Sequence, residues 1–191
     1  MGILAGTTVY LAGPVEQDND PNSWRELIKI GLTNMNVRIW DPLDKPDWID
    51  RSFTGKAQRN DKYTLESMRF LIHDDPIVLR NVQIRNVALR LASAADFIVC
   101  KIGGPTVGTF EELALAKQCL KPILFFGDLD SSWRFAQFAD PHYAAFHKNM
   151  DDLMTYLNKI NDSKELVSEV SWIFTNNFWP NSQRKITHDA I

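Results

Sequence analysis

The chain has 191 residues, 45% of them hydrophobic, which suits one domain with a sizeable core. Its 21 basic and 24 acidic residues give a net charge of −3, so no overall field attracts nucleic acid or an anionic membrane. The N-terminal stretch is too short and uncharged for a signal peptide, and no apolar run reaches the roughly 18 residues of a membrane span. We expect a cytoplasmic protein with a small-molecule partner.

Strands and helices alternate from the start of the chain. The apolar run Thr8–Ala12 predicts a strand that ends at Gly13-Pro14, and 36–40 predicts another that ends at Asp41-Pro42. Between them the pattern predicts a helix with Ser23 as its N-cap and Gly31 near its end. This order predicts a β-α-β unit.

The same alternation continues through the middle of the chain. A helix-length stretch at 78–95 leads into a predicted strand at 96–100, and a second predicted helix at 110–120 leads into a strand at 122–127. Alternation of this kind predicts an α/β fold with a parallel sheet, helices on both faces and a ligand crevice at the carboxyl ends of the strands. We expect that rim to hold Pro14, Asp41, 102–109 and 127–130.

Residues 43–77 are long for a connection between two elements. They carry acidic, aromatic and basic side chains, which favour a lid or a wall of the ligand pocket. A simple surface excursion is the alternative interpretation.

The last third of the chain predicts two amphipathic helices, at 150–160 and 164–178, that serve the core or a subunit contact. A polar, frayed tail follows them. We therefore predict a single domain, in three parts: a core at about 7–130, a helical extension at about 143–179 and a tail at 180–191.

A glycine-containing loop at 103–109 turns into an Ala-rich helix that carries Glu111 and Glu112. Glycines permit a tight turn, and the N–H groups of a helix start attract anions. The positive end of the helix favours an ionised carboxylate, which can act as a nucleophile. Adjacent helical residues point about 100° apart, so only one of the two glutamates can face the crevice. The alternative is simple capping, with Thr109 as N-cap and Glu112 completing a capping box.

Other kinds of site are disfavoured. The loop at 103–109 has neither the Walker lysine nor a G-x-G-x-x-G pattern, and no Ser or Cys lies in a nucleophile elbow. Cys100 and Cys119 lie in apolar segments and predict buried thiols in a reducing compartment. The four histidines are scattered without the spacing of metal ligands. What remains is carboxylate chemistry beside a nucleotide-sized crevice.

Several short motifs between residues 7 and 127 occur together in one known family. They are Val9-Tyr10-Leu11-Ala12-Gly13-Pro14, Ser23-Trp24-Arg25, Asp41-Pro42, Ala95-Asp96 and Val107-Gly108-x-x-x-Glu112-Leu113-x-x-Ala116. With them the chain resembles the nucleoside 2-deoxyribosyltransferases and their relatives. The resemblance implies a flavodoxin-like three-layer sandwich, a homo-oligomer, and catalysis without a metal or an organic cofactor.

The resemblance also implies an activity and two catalytic residues. Glu112 would attack the anomeric C1′ of a 2′-deoxyribonucleoside to form a glycosyl ester, and a second base or water would release the sugar with retained configuration. Tyr10 would hydrogen-bond to Glu112 and orient it. Without the family match, Tyr10 is an ordinary half-buried strand tyrosine. Asp96, in the Ala-Asp pair at a strand start, is expected to serve the geometry of the loop rather than chemistry.

Two positions depart from the family pattern. Enzymes of this family that act on free nucleosides carry acids where this chain has Thr106 and Ala88. The base-protonating group is therefore unassigned, with Asn86, Asp41 or a residue of 43–77 as candidates. A hydroxyl at position 106 resembles the related 2′-deoxynucleoside 5′-monophosphate N-glycosidases, in which a serine binds the phosphate; the alternative is a solvated loop residue.

Three functions follow from these observations. They are base exchange between deoxynucleosides or deoxynucleotides, hydrolysis of a deoxynucleoside 5′-monophosphate to free base, and nucleotide binding without catalysis. Base exchange and hydrolysis share the same nucleophile. We predict a ligand-binding set of residues that comprises Gly13, Pro14, Asp41, Asn86, Gly104, Thr106, Gly108 and Thr109.

Overall fold

The computed structural model describes residues 2–14, 20, 22–44, 76–103, 107–128, 133–138, 140 and 143–162, with side chains in the helix at 76–94 described from Arg85 onward. The predicted helix at 164–178, the tail at 180–191 and most of the segment at 43–77 lie outside these ranges. So do Gly104 and Thr106 of the predicted ligand-binding set.

The described part of the chain contains five strands, four α-helices and one short 3-10 helix. In chain order they are β1 (Thr8–Ala12), α1 (Ser23–Asn34), β2 (Arg38–Trp40), α2 (Pro76–Ala94), β3 (Phe97–Lys101), α3 (Val107–Gln118), β4 (Ile123–Phe126), the 3-10 helix (Trp133–Phe138), β5 (Ala144–His147) and α4 (Met150–Asp162). Among these helices, none is both long and apolar enough to cross a membrane.

All strand pairs are parallel, and the strands lie in the order β2-β1-β3-β4-β5. This is the flavodoxin-like order of a doubly wound sheet, so the predicted fold class is confirmed. The strand order reverses between β1 and β3, and the crevice outside their carboxyl ends is where such sheets bind ligands.

Side chains of alternate residues in β1 face the two opposite layers of the sandwich. Val9 and Leu11 belong to a core that packs against α1 and α4, whereas Tyr10 and Ala12 belong to a second core that packs against α2, α3 and the 3-10 helix. Because strand side chains alternate, a central strand covered on both faces is apolar throughout. The observed burial of all five residues of β1 agrees.

Several predicted boundaries need correction. Strand β2 begins at Arg38 rather than 36, because Asn36 adopts φ 58° in the turn that closes α1 and donates its N–H to the Thr33 carbonyl. Helix α1 has Asn22, not Ser23, as its N-cap. The sequence patterns did not predict β5 or the 3-10 helix; β5 is only four residues long and partly exposed at the sheet edge, so it carries no long apolar run.

Candidate active site

The loops that follow β1 and β3 touch at the carboxyl edge of the sheet. A Cβ atom built on Gly103 would lie 2.7 Å from Pro14 Cγ, so no larger residue fits there without movement. Gly13 has φ 149° and lies against Lys101, the last residue of β3. This contact confirms the predicted rim for Pro14 and the start of the 102–109 loop.

Glu112 lies on the inner face of α3 and is only 7% exposed. The helix begins at Val107, three residues earlier than predicted, so Glu112 is its sixth residue and lies in the second turn. Thr109 is buried within the helix instead of capping it, and the capping-box interpretation is wrong. The side chain of Glu111 is 54% exposed, as expected for a neighbour that points about 100° away.

An arginine on the adjacent helix holds both glutamates. Arg85 Nη1 donates to Glu112 Oε1 at 2.9 Å, and Arg85 Nε donates to Glu111 Oε2 at 2.6 Å. Its Nη2 donates to the Gly108 carbonyl at 2.8 Å and also pairs with Glu111. The guanidinium therefore connects α2 to the first two turns of α3 at the carboxylate that the sequence singles out.

Tyr10 lies in β1 on the same side of the sheet as Glu112 and is fully buried. Its hydroxyl is close enough to Glu112 for each group to shift the pKa of the other. No hydrogen bond of good geometry links this hydroxyl to another group in the described part of the chain. Burial, and then the charge of Glu112, raise the pKa of Tyr10, so the hydroxyl keeps its proton and is available as a donor.

Burial raises the pKa of Glu112 above the usual range of a glutamic acid. Three groups oppose this effect: the charge and hydrogen bond of Arg85, the Tyr10 hydroxyl, and the charge of Arg25. Because the field of a helix start falls off within the first turn, these neighbours, rather than the helix start, favour the ionised form. The site thus holds a nearly dry carboxylate beside two cations and a phenol.

A buried ion-pair network lies beneath the rim. Arg25 is 0% exposed, its Nε lies 3.2 Å from Asp41 Oδ1, and its Nη2 donates to the Gly13 carbonyl at 3.5 Å. Lys29 Nζ lies 2.9 Å from Asp41 Oδ2, and the Leu43 N–H donates to Asp41 Oδ1. Burial alone would lower the pKa of Lys29, but hydrogen bonds from its ammonium to carboxylates raise it. The Asp41 carboxylate is therefore engaged through both oxygens with protein groups.

The other described residues for which the sequence predicts a role, Asn86, Gly108 and Asp96, lie in different parts of the fold. Asn86 is exposed on α2, next to Arg85, and Gly108 lies in the first turn of α3. Asp96 lies at the opposite end of the sheet, where its Oδ2 accepts a 2.7 Å hydrogen bond from the Thr8 N–H, in agreement with a structural role.

The two cysteines differ in their exposure to solvent. Cys100 is buried in β3, where burial and Glu112 raise its pKa. Cys119 is exposed, so its prediction as a buried thiol is wrong. It follows α3 at the C-terminal end of that helix, where the chain turns at the surface.

The sequence interpretation missed Arg85 and the burial of Arg25, although helical spacing carries a signal for both. Arg85 shares the spacing of Ala88, Ala92 and Ala95, the buried small residues of α2 and its end. Arg25 likewise shares the spacing of Ile28 and Leu32 in α1. A cation on the apolar face of a helix has to be paired, so each arginine indicates a buried carboxylate nearby.

Among the described residues, no three His, Cys, Asp or Glu side chains form a group that could hold a metal ion. No family model and no curated protein matches the sequence. Solved structures that resemble the fold include a 2-deoxyribosyltransferase from the psychrotolerant bacterium Bacillus psychrosaccharolyticus and the CMP N-glycosidase of Clostridium botulinum. The first is 15% identical with a TM-score of 0.45, over 78% of this chain and 91% of that one. The second is 12% identical with a TM-score of 0.43, over 80% and 98%.

Proposed function

We propose that this chain is a deoxyribosyltransferase-like enzyme that cleaves the N-glycosidic bond of 2′-deoxyribonucleosides or their 5′-monophosphates and transfers the sugar to another base. The observation that supports it most is the buried carboxylate of Glu112, held by Arg85 and close to the Tyr10 hydroxyl. The sequence motifs that carry the family resemblance supply the substrate class.

In the proposed reaction, one Glu112 oxygen attacks C1′ as the bond from C1′ to the base nitrogen breaks. The electron pair of that bond leaves with the base, which takes up a proton, and a glycosyl ester forms on Glu112. A second base then attacks C1′ from the opposite side and gives up its N–H proton, which balances the proton taken up by the first base, and its displacement of the ester restores the free carboxylate. Two inversions leave the configuration at C1′ unchanged.

The charge that develops during this reaction explains why a 2′-deoxy sugar would react more readily than a ribose. The sugar passes through an oxocarbenium-like state, which a carboxylate stabilises and which forms more readily when no electron-withdrawing 2′-hydroxyl is present. A carboxylate with little access to solvent acts on this charge more strongly than one in bulk water. The low exposure of Glu112 is suited to that task.

Product analysis tests the proposal directly. The protein is incubated with a deoxynucleoside or its 5′-monophosphate, with and without a foreign base, and the products are separated by chromatography. A new nucleoside that contains the foreign base indicates transfer, whereas free base and free sugar without it indicate hydrolysis. Release of no base from any of these substrates would contradict catalysis and leave binding alone.

The nucleophile has its own test. We expect mass spectrometry of acid-quenched wild-type protein to detect an adduct of one deoxyribosyl group, and Glu112→Gln to show neither adduct nor turnover while remaining folded. Glu111→Gln is the matched control, because it makes the same change on the adjacent, exposed side chain and should still form the adduct. An adduct in Glu112→Gln but not in Glu111→Gln would transfer the role to Glu111.

A further inference from the structure

We propose that Arg85 is a positioning residue that clamps the Glu112 carboxylate to the first turns of α3 and keeps it in its nucleophilic form. This inference rests on the proposed function only in assigning the nucleophile to Glu112. Arg85 is not one of the residues to which the motifs assign a role, and the evidence for it is the geometry of its contacts.

One guanidinium makes contacts in three directions. Nη1 reaches Glu112 at 2.9 Å, Nε reaches Glu111 at 2.6 Å, and Nη2 reaches the Gly108 carbonyl at 2.8 Å. A planar guanidinium can make these bonds together because its donors have fixed directions, whereas a lysine ammonium offers a single charged point. The orientation of the Glu112 side chain is thereby fixed relative to the backbone of its own helix.

The surroundings leave space for this clamp. Gly108 lies under the guanidinium, and a Cβ atom built there would be 3.3 Å from Arg85 Nη1, so a side chain at this position would press on the clamp. Arg85 itself is anchored, because the following turns of α2 pack against the sheet through Ala88 and Ala92. The side chain of Arg85 is 27% exposed, so solvent reaches its outer edge, where Glu111 lies.

Besides Glu111 on α3 itself, the charged and titratable groups that act on Glu112 come from four other elements. Arg25 on α1 and Arg85 on α2 are cations, while Tyr10 on β1 and Cys100 on β3 keep their protons because burial raises the pKa of each. Glu111, on α3 itself, is the other nearby anion. Of the groups that lower the pKa of Glu112, Arg85 acts most strongly, and its removal leaves the Tyr10 hydroxyl and the charge of Arg25 to oppose burial.

Two substitutions separate the charge of the clamp from its geometry. Arg85→Gln removes the charge, so the pH at which activity reaches half its maximum on the acidic side should rise by about 1–3 pH units. Arg85→Lys keeps the positive charge but loses the planar guanidinium with its fixed donor directions. The pH of half-maximal activity should then stay near the wild-type value, while kcat falls about tenfold or more and KM changes little. Arg90→Gln is the matched control, since Arg90 lies exposed on the same helix and should change neither quantity.

A second readout does not need turnover. The carboxyl carbon of Glu112, assigned by comparison with Glu112→Gln, is titrated by ¹³C NMR in the wild type and in Arg85→Gln, and its midpoint should rise in the variant. An unchanged NMR midpoint together with unchanged kcat would overturn the clamp. An equal loss of kcat in both variants without any change of pH profile would show that Arg85 only supports the fold. If the wild type cleaves no substrate but the NMR midpoint of Glu112 is still higher in Arg85→Gln than in the wild type, the proposed function is contradicted and the clamp is supported.

Discussion

Removing one oxygen atom from Tyr10 is expected to slow catalysis without weakening the fold. In Tyr10→Phe the ring keeps its place in the core, and the hydroxyl that is lost makes no hydrogen bond of good geometry with any described residue. At a pH low enough to protonate Glu112 in both proteins, we therefore expect the free energy of unfolding to change by less than about 1 kcal/mol. Loss of a hydrogen bond in the core would instead cost about 0.5–1.5 kcal/mol or more.

The kinetic effect of Tyr10→Phe follows from its influence on Glu112. The Tyr10 hydroxyl lowers the pKa of Glu112, in opposition to burial, so its removal makes the carboxylate harder to ionise. Tyr10→Phe should therefore raise the pKa of Glu112 further, in the same direction as burial. At a pH below the pKa of Glu112, the ionised fraction should then fall and kcat should drop about ten- to a hundredfold, as expected when a charged group loses one hydrogen-bond donor, and the deficit should shrink as the pH rises.

The assay is kcat and KM for a deoxynucleoside across the pH range, together with urea unfolding of both proteins. Tyr143→Phe is the matched control, because that hydroxyl is also buried without a good hydrogen bond but lies before β5, at the other end of the sheet. It should leave kcat unchanged. A Tyr10→Phe enzyme with wild-type kcat at every pH would remove Tyr10 from the site, and a loss that does not vary with pH would refute the ionisation argument.

Two further predictions concern Asp41 and the form of the substrate. Asp41→Asn should lower the free energy of unfolding by about 3–5 kcal/mol in urea, because it removes the negative charge that pairs with the buried Arg25 guanidinium. Asp44→Asn, at an exposed carboxylate, should cost less than about 1 kcal/mol. Wild-type stability with a raised KM in Asp41→Asn would instead favour the predicted ligand contact. The second prediction rests on the sequence alone, since Thr106 lies outside the described residues. The wild type should have a higher kcat/KM for the 5′-monophosphate than for the nucleoside. Thr106→Asp should reverse this preference, with a change of about one to two orders of magnitude in kcat/KM. A wild type that prefers the nucleoside would contradict it.

The order of elements could be predicted from the sequence because the central strands are apolar on both faces. Strand β1 is predicted to the residue, and the predicted β3 and β4 agree within one residue at each end. Helix boundaries were less accurate for local reasons. Gly108 suggests a loop, yet it lies in the first turn of α3, where the absence of a side chain makes room for Arg85. The predicted homo-oligomer and the predicted lid at 43–77 remain predictions.

The candidate site could be predicted only in part, because its electrostatics depend on contacts distant in sequence. The glutamate and the tyrosine follow from motifs within single elements. The partners of Glu112 do not: Arg85 precedes it by 27 residues on another helix, and Arg25 lies farther still along the chain. A sequence pattern shows that an arginine faces the core, but it does not show which carboxylate the arginine meets.

Burial of Glu112 opposes its ionisation, and neighbouring groups of the fold counteract this effect of burial. A carboxylate in a dry crevice acts strongly on a developing positive charge, but the same dryness favours its neutral, non-nucleophilic form. The two cations come from helices on opposite faces of the sheet, Arg25 from α1 and Arg85 from α2, and Arg85 contacts Glu112 directly at 2.9 Å. Among the groups that lower the pKa of Glu112, Arg85 and Tyr10 act more strongly than Arg25. A double variant, Tyr10→Phe with Arg85→Gln, should therefore raise the pH midpoint further than either single change, and an effect no larger than that of Arg85→Gln alone would mean that Tyr10 acts only through the clamp.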